Sequence, residues 1–319
     1  ESSSFRELNA ERWENSYNFN AVQTGKIVKS IIPHQRPSGI TGFVMNTRKP
    51  KFEDWRVREA LISAFNFEFI NQANTGGRQE RITSYFSNSV LSMEDGLAKG
   101  RVLELLEPFS GSLLPGTIEG YRLPQSDGSA RNRRNVRAAD ALLSQAGWTV
   151  QDGLRRNAQG TPFEITVTLK QGDTESQSMM DIYQQALERL GITLTTEVLD
   201  SAQYKERTQI YDFDMAYYRR GLSLSPGNEQ MLYWGGDGVE QPGTRNWMGM
   251  NSPAAEAMIA KLVGSTSHEE FLAAVKALDR IVTAGRYVIP IHTSSFSRLA
   301  HVKEIKYPQR LPMYGDWIG

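Results

Sequence analysis

The hydrophobic and polar positions over residues 163–199 follow two different periods. The apolar residues that alternate with polar ones are Phe163, Ile165, Val167 and Leu169. This is the period of a strand with one buried face. Apolar residues then recur at helical spacing as far as Leu190, Gly191 follows as a terminator, and a second apolar segment covers 192–199. Strand, helix and strand in this order predict a βαβ unit with parallel strands, so the chain is predicted to be α/β.

The segment 42–64 combines a short apolar strand, a turn that contains proline, and an amphipathic helix. Asp54 is placed to accept hydrogen bonds from the free amides that open this helix. Val57, Leu61 and Ala64 recur at helical spacing, whereas the charged residues point elsewhere. The pattern predicts a helix with one buried face and one solvated face.

Capping residues, terminators and short apolar segments predict the remaining elements. Helices are predicted to begin at or after Asn66, Asn135, Asp200, Ser252 and Ser267, and strands are predicted over 27–32, 213–218 and 288–291. Pro290 restricts the last strand to a sheet edge or to a strand end. The segments 82–115 and 219–250 are predicted to be long loops, the first as a surface excursion packed by its own aromatic residues.

Composition narrows the functional classes. The 319 residues include 36 basic and 36 acidic side chains, so charge alone favours neither nucleic acid nor an acidic membrane as a partner. The sequence has no cysteine, which excludes disulfides and thiolate chemistry and is compatible with an oxidising compartment. No apolar segment approaches the roughly 20 residues that span a bilayer. The first residues show no leader pattern, so the protein is expected to be cytoplasmic or to have lost its leader.

The histidines do not indicate a metal site. His268-Glu269 opens like a zinc-protease helix, but position 272 is leucine, so the second imidazole is missing. The four histidines are scattered without ligand spacing. No metal or other cofactor is therefore expected.

A hydrolase remains the alternative function. Gly221 stands two residues before Ser223 as in a nucleophile elbow, but Ser225 stands where a second glycine would let the tight turn form. Asp212 and Asp214 lie on one side of a predicted strand and are candidates for paired carboxylates. The simpler interpretation of both features is a solvated loop and two charges at a strand end.

The segment that follows the strand 213–218 has the composition of a binding loop. Ligands of α/β sheets bind outside the carboxyl ends of the strands, and a mixture of aromatic rings, arginines and amides suits an amphipathic ligand. The candidate residues for a cleft wall are Tyr218, Arg219, Arg220, Ser225, Asn228, Glu229 and Trp247, with Tyr85 and Phe86 as additions from the earlier loop. The alternative is that these aromatic rings only pack the loops onto the domain.

The residues of the segment 46–61 match the pattern N-T-x-x-P-x-F-x-D-x-R-V-R-x-A-L. This pattern resembles the entry into the C-terminal lobe of bacterial extracellular solute-binding proteins of the oligopeptide, dipeptide and nickel type. Further segments that are similar to this family cover 135–148, 187–192 and 211–215, and those at 105–109, 222–223 and 225–230 resemble its oligopeptide and microcin C importer branch. Their order along the chain argues against chance agreement.

The resemblance implies a periplasmic-binding-protein-like lobe with a mixed, partly parallel sheet flanked by helices. It divides the chain into the end of an N-terminal lobe at 1–41, a C-terminal ligand-binding lobe at 42–301, and a return segment at 302–319. The chain is then expected to be a fragment that holds the second lobe. A hinge is expected where the strand 43–47 lies beside the segment 301–307.

The resemblance also implies a function. A protein of this kind is the periplasmic component of an ABC importer, and it captures oligopeptide-like ligands between two lobes for delivery to the membrane permease. It is expected to be monomeric, to catalyse no reaction, and to bind neither cofactor nor nucleic acid. One departure concerns the ligand, because peptide binders of the family carry an acidic residue just past the strand, where this chain has Arg219 and Arg220. A ligand carboxylate or phosphate is an equally suitable partner for these arginines.

Overall fold

A computed structural model describes residues 3–8 and 10–316, apart from the side chain of residue 11. The strands are β1 Ser4–Glu7, β2 Ile27–Pro33, β3 Ile40–Met45, β4 Glu80–Arg81, β5 Thr149–Gln151, β6 Leu154–Arg156, β7 Glu164–Lys170, β8 Thr193–Leu199, β9 Met215–Arg220, β10 Val288–Pro290, β11 His292–Thr293 and β12 Phe296–Val302. The α-helices are α1 Ala10–Asn15, α2 Asn20–Gln23, α3 Trp55–Ala64, α4 Phe67–Thr75, α5 Gly100–Leu106, α6 Arg133–Gln145, α7 Thr174–Glu188, α8 Ser201–Gln209, α9 Glu229–Trp234, α10 Pro253–Val263 and α11 His268–Ala284. Short 3₁₀ turns cover Pro50–Phe52, Glu107–Phe109 and Gly236–Val239.

The main sheet has the strand order β10-β3-β9-β7-β8. Its β7–α7–β8 unit is parallel, as the alternating pattern predicted, and β9 also runs parallel to β7. The other two pairs, β3 with β9 and β10 with β3, are antiparallel. The predicted mixed, partly parallel sheet is therefore confirmed. Pro290 ends the edge strand β10, where its missing N–H disrupts no ladder.

Helices cover both faces of this sheet. On one face α3, α6 and α7 bury a core that includes Phe43, Met45 and Met215. On the other face α5, α10 and α11 bury a second core that includes Val44 and Ala216. Neighbouring residues of a strand thus enter different cores because successive side chains point to opposite faces.

The predicted caps form at Asp54, Asn66, Asp200, Ser252 and Ser267. The start predicted at Asn135 is wrong, because α6 begins at Arg133 without a side-chain cap and Asn135 lies inside it. The Asp54 Oδ1 accepts a hydrogen bond from the Arg56 backbone N–H at 2.8 Å. The Ser267 Oγ accepts one from the Glu270 backbone N–H at 3.2 Å, and α11 begins at the next residue. These bonds satisfy amides that have no partner within the helix.

A smaller antiparallel sheet has the strand order β1-β12-β2 and is built from the two ends of the chain. Two connections join the sheets, 34–39 after β2 and 294–295 before β12. They run side by side, since the His34 N–H donates to the Ser295 carbonyl at 3.0 Å.

The segments around Phe43 and His301 belong to different sheets. Phe43 pairs with Ile289 and Tyr217 in the main sheet, whereas His301 pairs with Ser4 and Val28 in the small sheet. The expectation that 43–47 and 301–307 lie side by side is therefore wrong, since neither strand neighbours the other. The reason is that each segment is the inner part of its own sheet, and the chain crosses a few residues away from both.

The long loop 82–115 lies over the second core and contains α5, which the sequence reading did not predict. The first residues of this loop are held by the buried carboxylate of Asp279 in α11. It accepts hydrogen bonds from the Ser84 Oγ at 2.7 Å, the Phe86 N–H at 3.2 Å and the Met93 N–H at 2.9 Å. Burial raises the pKa of this carboxyl, and these three hydrogen bonds oppose the rise. The loop is thus a fixed part of the domain.

Candidate functional site

A cleft of about 900 Å³ opens at the carboxyl end of β9, between the main sheet and the small sheet. Pairing of β9 with β7 ends at Ala216, so the residues from Tyr217 onward are held on one side by β3 alone. On the free side the Tyr204 hydroxyl of α8 donates to the Tyr217 carbonyl at 2.7 Å. The two parallel strands therefore diverge at their carboxyl ends, which is where α/β sheets bind ligands.

One wall of the cleft comes from the face of β9 that carries Tyr217 and Arg219. Thr41 of β3 is the register partner of Arg219 and lines the same wall. His292 lies nearby, with its Nδ1 3.6 Å from a Glu175 carboxylate oxygen. Burial lowers the pKa of His292 and the Arg219 charge lowers it further, whereas Glu175 opposes the shift.

The second wall is formed by Arg220 and α9. The Arg220 guanidinium lies 4.6 Å from the centre of the Tyr233 ring, within the range of a cation–π contact. Glu229 accepts hydrogen bonds from the Gly227 N–H and from the Gln230 side chain, both at 3.0 Å. Partial burial disfavours ionisation of Glu229, but these hydrogen bonds outweigh it and hold its pKa below the ordinary value.

The third wall belongs to the small sheet and to the C-terminal segment. Arg6 and Arg36 both contact Asp316, at 2.6 and 3.2 Å. Arg36 also donates to the Ser297 Oγ at 2.8 Å and to the Tyr314 carbonyl at 2.7 Å. These bonds fix the two arginines at the edge of the cleft.

The imidazole of His34 is part of the same wall. Burial, followed by the positive charge of Arg36, lowers the pKa of His34 to about 4, although Asp316 acts in the opposite direction. The ring is therefore neutral at neutral pH.

Four of the residues predicted from the sequence lie together in the cleft lining, namely Arg219, Arg220, Ser225 and Glu229. The other five do not line it. Tyr218 is 2% exposed and packs beside Trp247 with ring centres 5.4 Å apart. Asn228 is exposed outside the cleft.

Tyr85 and Phe86 are 3% and 0% exposed and belong to the second core. For Tyr218 the physical reason is strand alternation, which directs it away from the face of Tyr217 and Arg219. Tyr85 and Phe86 do not line the cleft because Asp279 anchors their loop over the second core. For these two residues the alternative interpretation applies, since their rings pack the loop onto the domain.

Sequence reasoning missed residues that reach the cleft from distant parts of the chain. They include Arg6, His34, Arg36, Thr41, Arg78, Tyr233, His292 and Arg298. No local motif marks them, because they converge only in the folded chain. Arg6, Arg36 and Arg298 reach the cleft through the small sheet, and Thr41 and His292 through the pairings of β3 with β9 and β11 with β4. The available signal was the strand period, which predicts that Tyr217 and Arg219 share a face.

The hydrolase alternative finds no support. Asp212 is ion-paired with Arg207 at 3.0 Å, and Asp214 with Lys51 at 2.5 Å, both at the start of β9. Ser223 lies past the other end of β9, where its Oγ accepts a hydrogen bond from the Ser225 N–H at 3.2 Å. Throughout residues 3–8 and 10–316, no three or more acidic or imidazole side chains are grouped as a metal site. No helix in the described part of the chain has the length and apolar character to cross a membrane.

The chain belongs to the bacterial extracellular solute-binding proteins, family 5, whose family model matches residues 5–241. It is 38% identical over 312 residues to a Brucella melitensis protein named for binding without a stated ligand, across 98% of this chain and 50% of that protein. It is 33% identical over 314 residues to YejA of Agrobacterium fabrum, named as a probable peptide-binding protein, across 97% of this chain and 51% of YejA. The chain thus spans about half the length of these relatives.

Solved structures share the fold. The oligopeptide-binding protein AppA of Bacillus subtilis, in complex with a nonapeptide, superposes with a TM-score of 0.71 at 15% sequence identity. The match covers 96% of this chain and 53% of AppA. The expected α/β fold and the family resemblance are both confirmed.

Proposed function

We propose that this chain forms a ligand-binding wall of a periplasmic solute-binding protein that captures peptide-like ligands for an ABC importer. The observation that carries the proposal is the cleft of about 900 Å³ at the carboxyl end of β9. Family membership supports solute binding, and the name of the YejA relative and the nonapeptide in AppA support a peptide-like ligand. A cleft of this volume suits a ligand of several residues.

The proposed contact residues from the sequence set are Arg219, Arg220, Ser225 and Glu229, since these line the cleft. Tyr233 adds a ring face beside Arg220. The proposed partner after capture is the membrane permease of the importer. The proposal includes no reaction and no cofactor, and the binding protein acts as a monomer.

The relatives are about twice as long as this chain, so we propose that a second lobe covers the cleft in a protein of that length. The paired connections at 34–39 and 294–295 are the proposed hinge, because a few linking residues can absorb the rotation of one lobe against another. A single lobe lacks half of the contacts and excludes water poorly, so its affinity should be lower. Equal affinities for this chain and for the longer protein would contradict the second-lobe proposal.

A bulky substitution in the cleft tests whether peptides bind there. Thr41→Trp places a large ring opposite Arg219, whereas Thr149→Trp places the same ring on exposed β5, away from the cleft. Calorimetric titration with a mixture of short peptides should show at least about tenfold weaker binding for Thr41→Trp and an unchanged affinity for Thr149→Trp. If no peptide binds the unmodified protein, or if both variants bind as it does, the proposal is wrong.

A further inference from the structure

The charge of the cleft differs from that of the whole chain. The sequence has as many acidic as basic side chains, 36 of each. The cleft lining contains six arginines but three glutamates, which is a surplus of positive charge. Surplus charge of one sign in a concave site raises the local concentration of ligands of opposite sign.

Most of these arginines lack a carboxylate partner. Arg6 and Arg36 share Asp316. Within residues 3–8 and 10–316, no carboxylate oxygen lies within 4.0 Å of the guanidinium nitrogens of Arg78, Arg219, Arg220 or Arg298. The protein therefore leaves these charges available for a ligand.

The three lining glutamates are too few to balance the six arginines. Glu229 is occupied by the Gly227 N–H and by Gln230, and Glu7 accepts a hydrogen bond from the Tyr17 hydroxyl at 3.1 Å. Glu80 is an exposed residue on the short strand β4. The cleft lining therefore keeps a surplus of positive charge after its acidic side chains are counted.

Arg219 and Arg220 are the best placed of the available arginines. They are consecutive residues of a strand, so their side chains leave opposite faces of the divergent end of β9. Arg220 is oriented by the Tyr233 ring at 4.6 Å, and its buried Nε finds no acceptor among the described residues. A guanidinium whose donors are incompletely bonded gains from an anionic oxygen, and the pre-set ring contact lowers the entropic cost of that bond.

We infer that the cleft selects acidic peptide-like ligands, with one ligand carboxylate held by Arg219 on one wall and a second anionic group held by Arg220 on the other. This inference rests on the proposed function, because it assigns the ligand class of the same cleft. Arginine binds a carboxylate in a planar, two-point geometry, which a lysine at the same place would not reproduce. Basic peptides are then repelled by the same charges, and neutral peptides lack the attraction.

The test compares two tetrapeptides by calorimetry. One carries a glutamate side chain and a free C-terminal carboxylate, and the other carries glutamine and a C-terminal amide. The acidic peptide should bind at least about tenfold more tightly in low salt, and the difference should shrink at higher salt. Arg219→Gln and Arg220→Gln should each remove most of the difference.

The matched control is Arg131→Gln, which removes the same charge from an exposed position outside the cleft. It should keep the preference of the unmodified protein. Equal binding of both peptides would overturn the acidic-ligand inference and leave the proposed function standing. Binding of neither peptide would contradict the proposed function itself.

Discussion

The arginines of the interior and the two arginines at the end of β9 differ in how many partners their guanidinium groups have. Arg58 and Arg280 are 3% and 2% exposed, and each donates to several backbone carbonyls. Arg219 and Arg220 have no ion-pair partner among the described residues and border a cleft. The interior guanidiniums therefore complete the bonding of loops and helix ends, whereas those of Arg219 and Arg220 keep donors available for a ligand.

The two groups should separate experimentally. A saturated interior arginine contributes to the free energy of unfolding, because its loss leaves buried carbonyls without a donor. An unsaturated arginine at the surface contributes little to folding. The following changes test this contrast.

Removal of an interior arginine should have the largest effect. Arg58 donates to the carbonyls of Gly285 at 3.0 Å, Phe52 at 2.7 Å and Glu53 at 2.8 Å. Arg58→Met should lower the free energy of unfolding by about 3 kcal/mol, as expected when a buried hydrogen-bond network is broken. Urea unfolding measures the change. The control on the same helix is Arg56→Met, whose half-buried guanidinium is paired with Asp54 at 2.6 Å. It should lower the unfolding midpoint far less than Arg58→Met does.

The carboxylate of Asp316, which Arg6 and Arg36 share, offers a test within the cleft. Asp316→Asn should cost about 1 kcal/mol of stability, because Arg6 and Arg36 lose their charged partner in a half-buried site. It also removes a negative charge at the edge of the cleft. An acidic peptide should then bind a few-fold more tightly, and calorimetry that finds weaker binding would count against charge surplus as the basis of selection.

The neutral histidine of the cleft predicts a modest pH dependence. The pKa of His34 is lowered from 6.5 to about 4 in the folded protein, so the unfolded chain binds a proton more readily. Stability should fall as the pH drops from above 6.5 towards 4, and should level off for this group below that value. His34→Gln should flatten the slope over this range in urea titrations. An unchanged slope would show that other groups cause the acid sensitivity.

The smallest effect on stability is expected for the cleft arginines. Arg219→Gln should change the free energy of unfolding by less than about 0.5 kcal/mol, because the side chain is exposed and unpaired. The same variant is expected to lose acidic-peptide preference. A large loss of stability in this variant would remove the distinction between the two groups of arginines.

Local patterns predicted much of the fold. The period of two over 163–169, the helical spacing before Gly191 and the capping side chains of Asp54 and Ser267 are all consequences of interactions within a few residues. They gave the βαβ unit and the helix starts correctly, within a few residues at the ends. The family pattern at 46–61 led to the correct family for the same reason, since it is a continuous segment.

The candidate site was predictable only where it is continuous with β9. Arg219, Arg220, Ser225 and Glu229 follow one strand, and the rule that ligands bind at carboxyl ends identified them. The choice of Tyr218 ignored the alternation that sends it to the core. Tyr85 and Phe86 were misplaced because a loop of aromatic residues looks the same in sequence whether it is anchored or free.

The sequence by itself determined the α/β class, the parallel unit, the family and the arginines at the end of β9, because each depends on residues close together in the chain. Only the tertiary structure decided where the chain crosses between sheets and which arginines face the cleft. It also decided which arginines are saturated by carbonyls. The reason is that Arg6, Arg36 and Arg298 reach the cleft through strand pairings between the two ends of the chain, and His292 through the pairing of β11 with β4. No local period records such pairings.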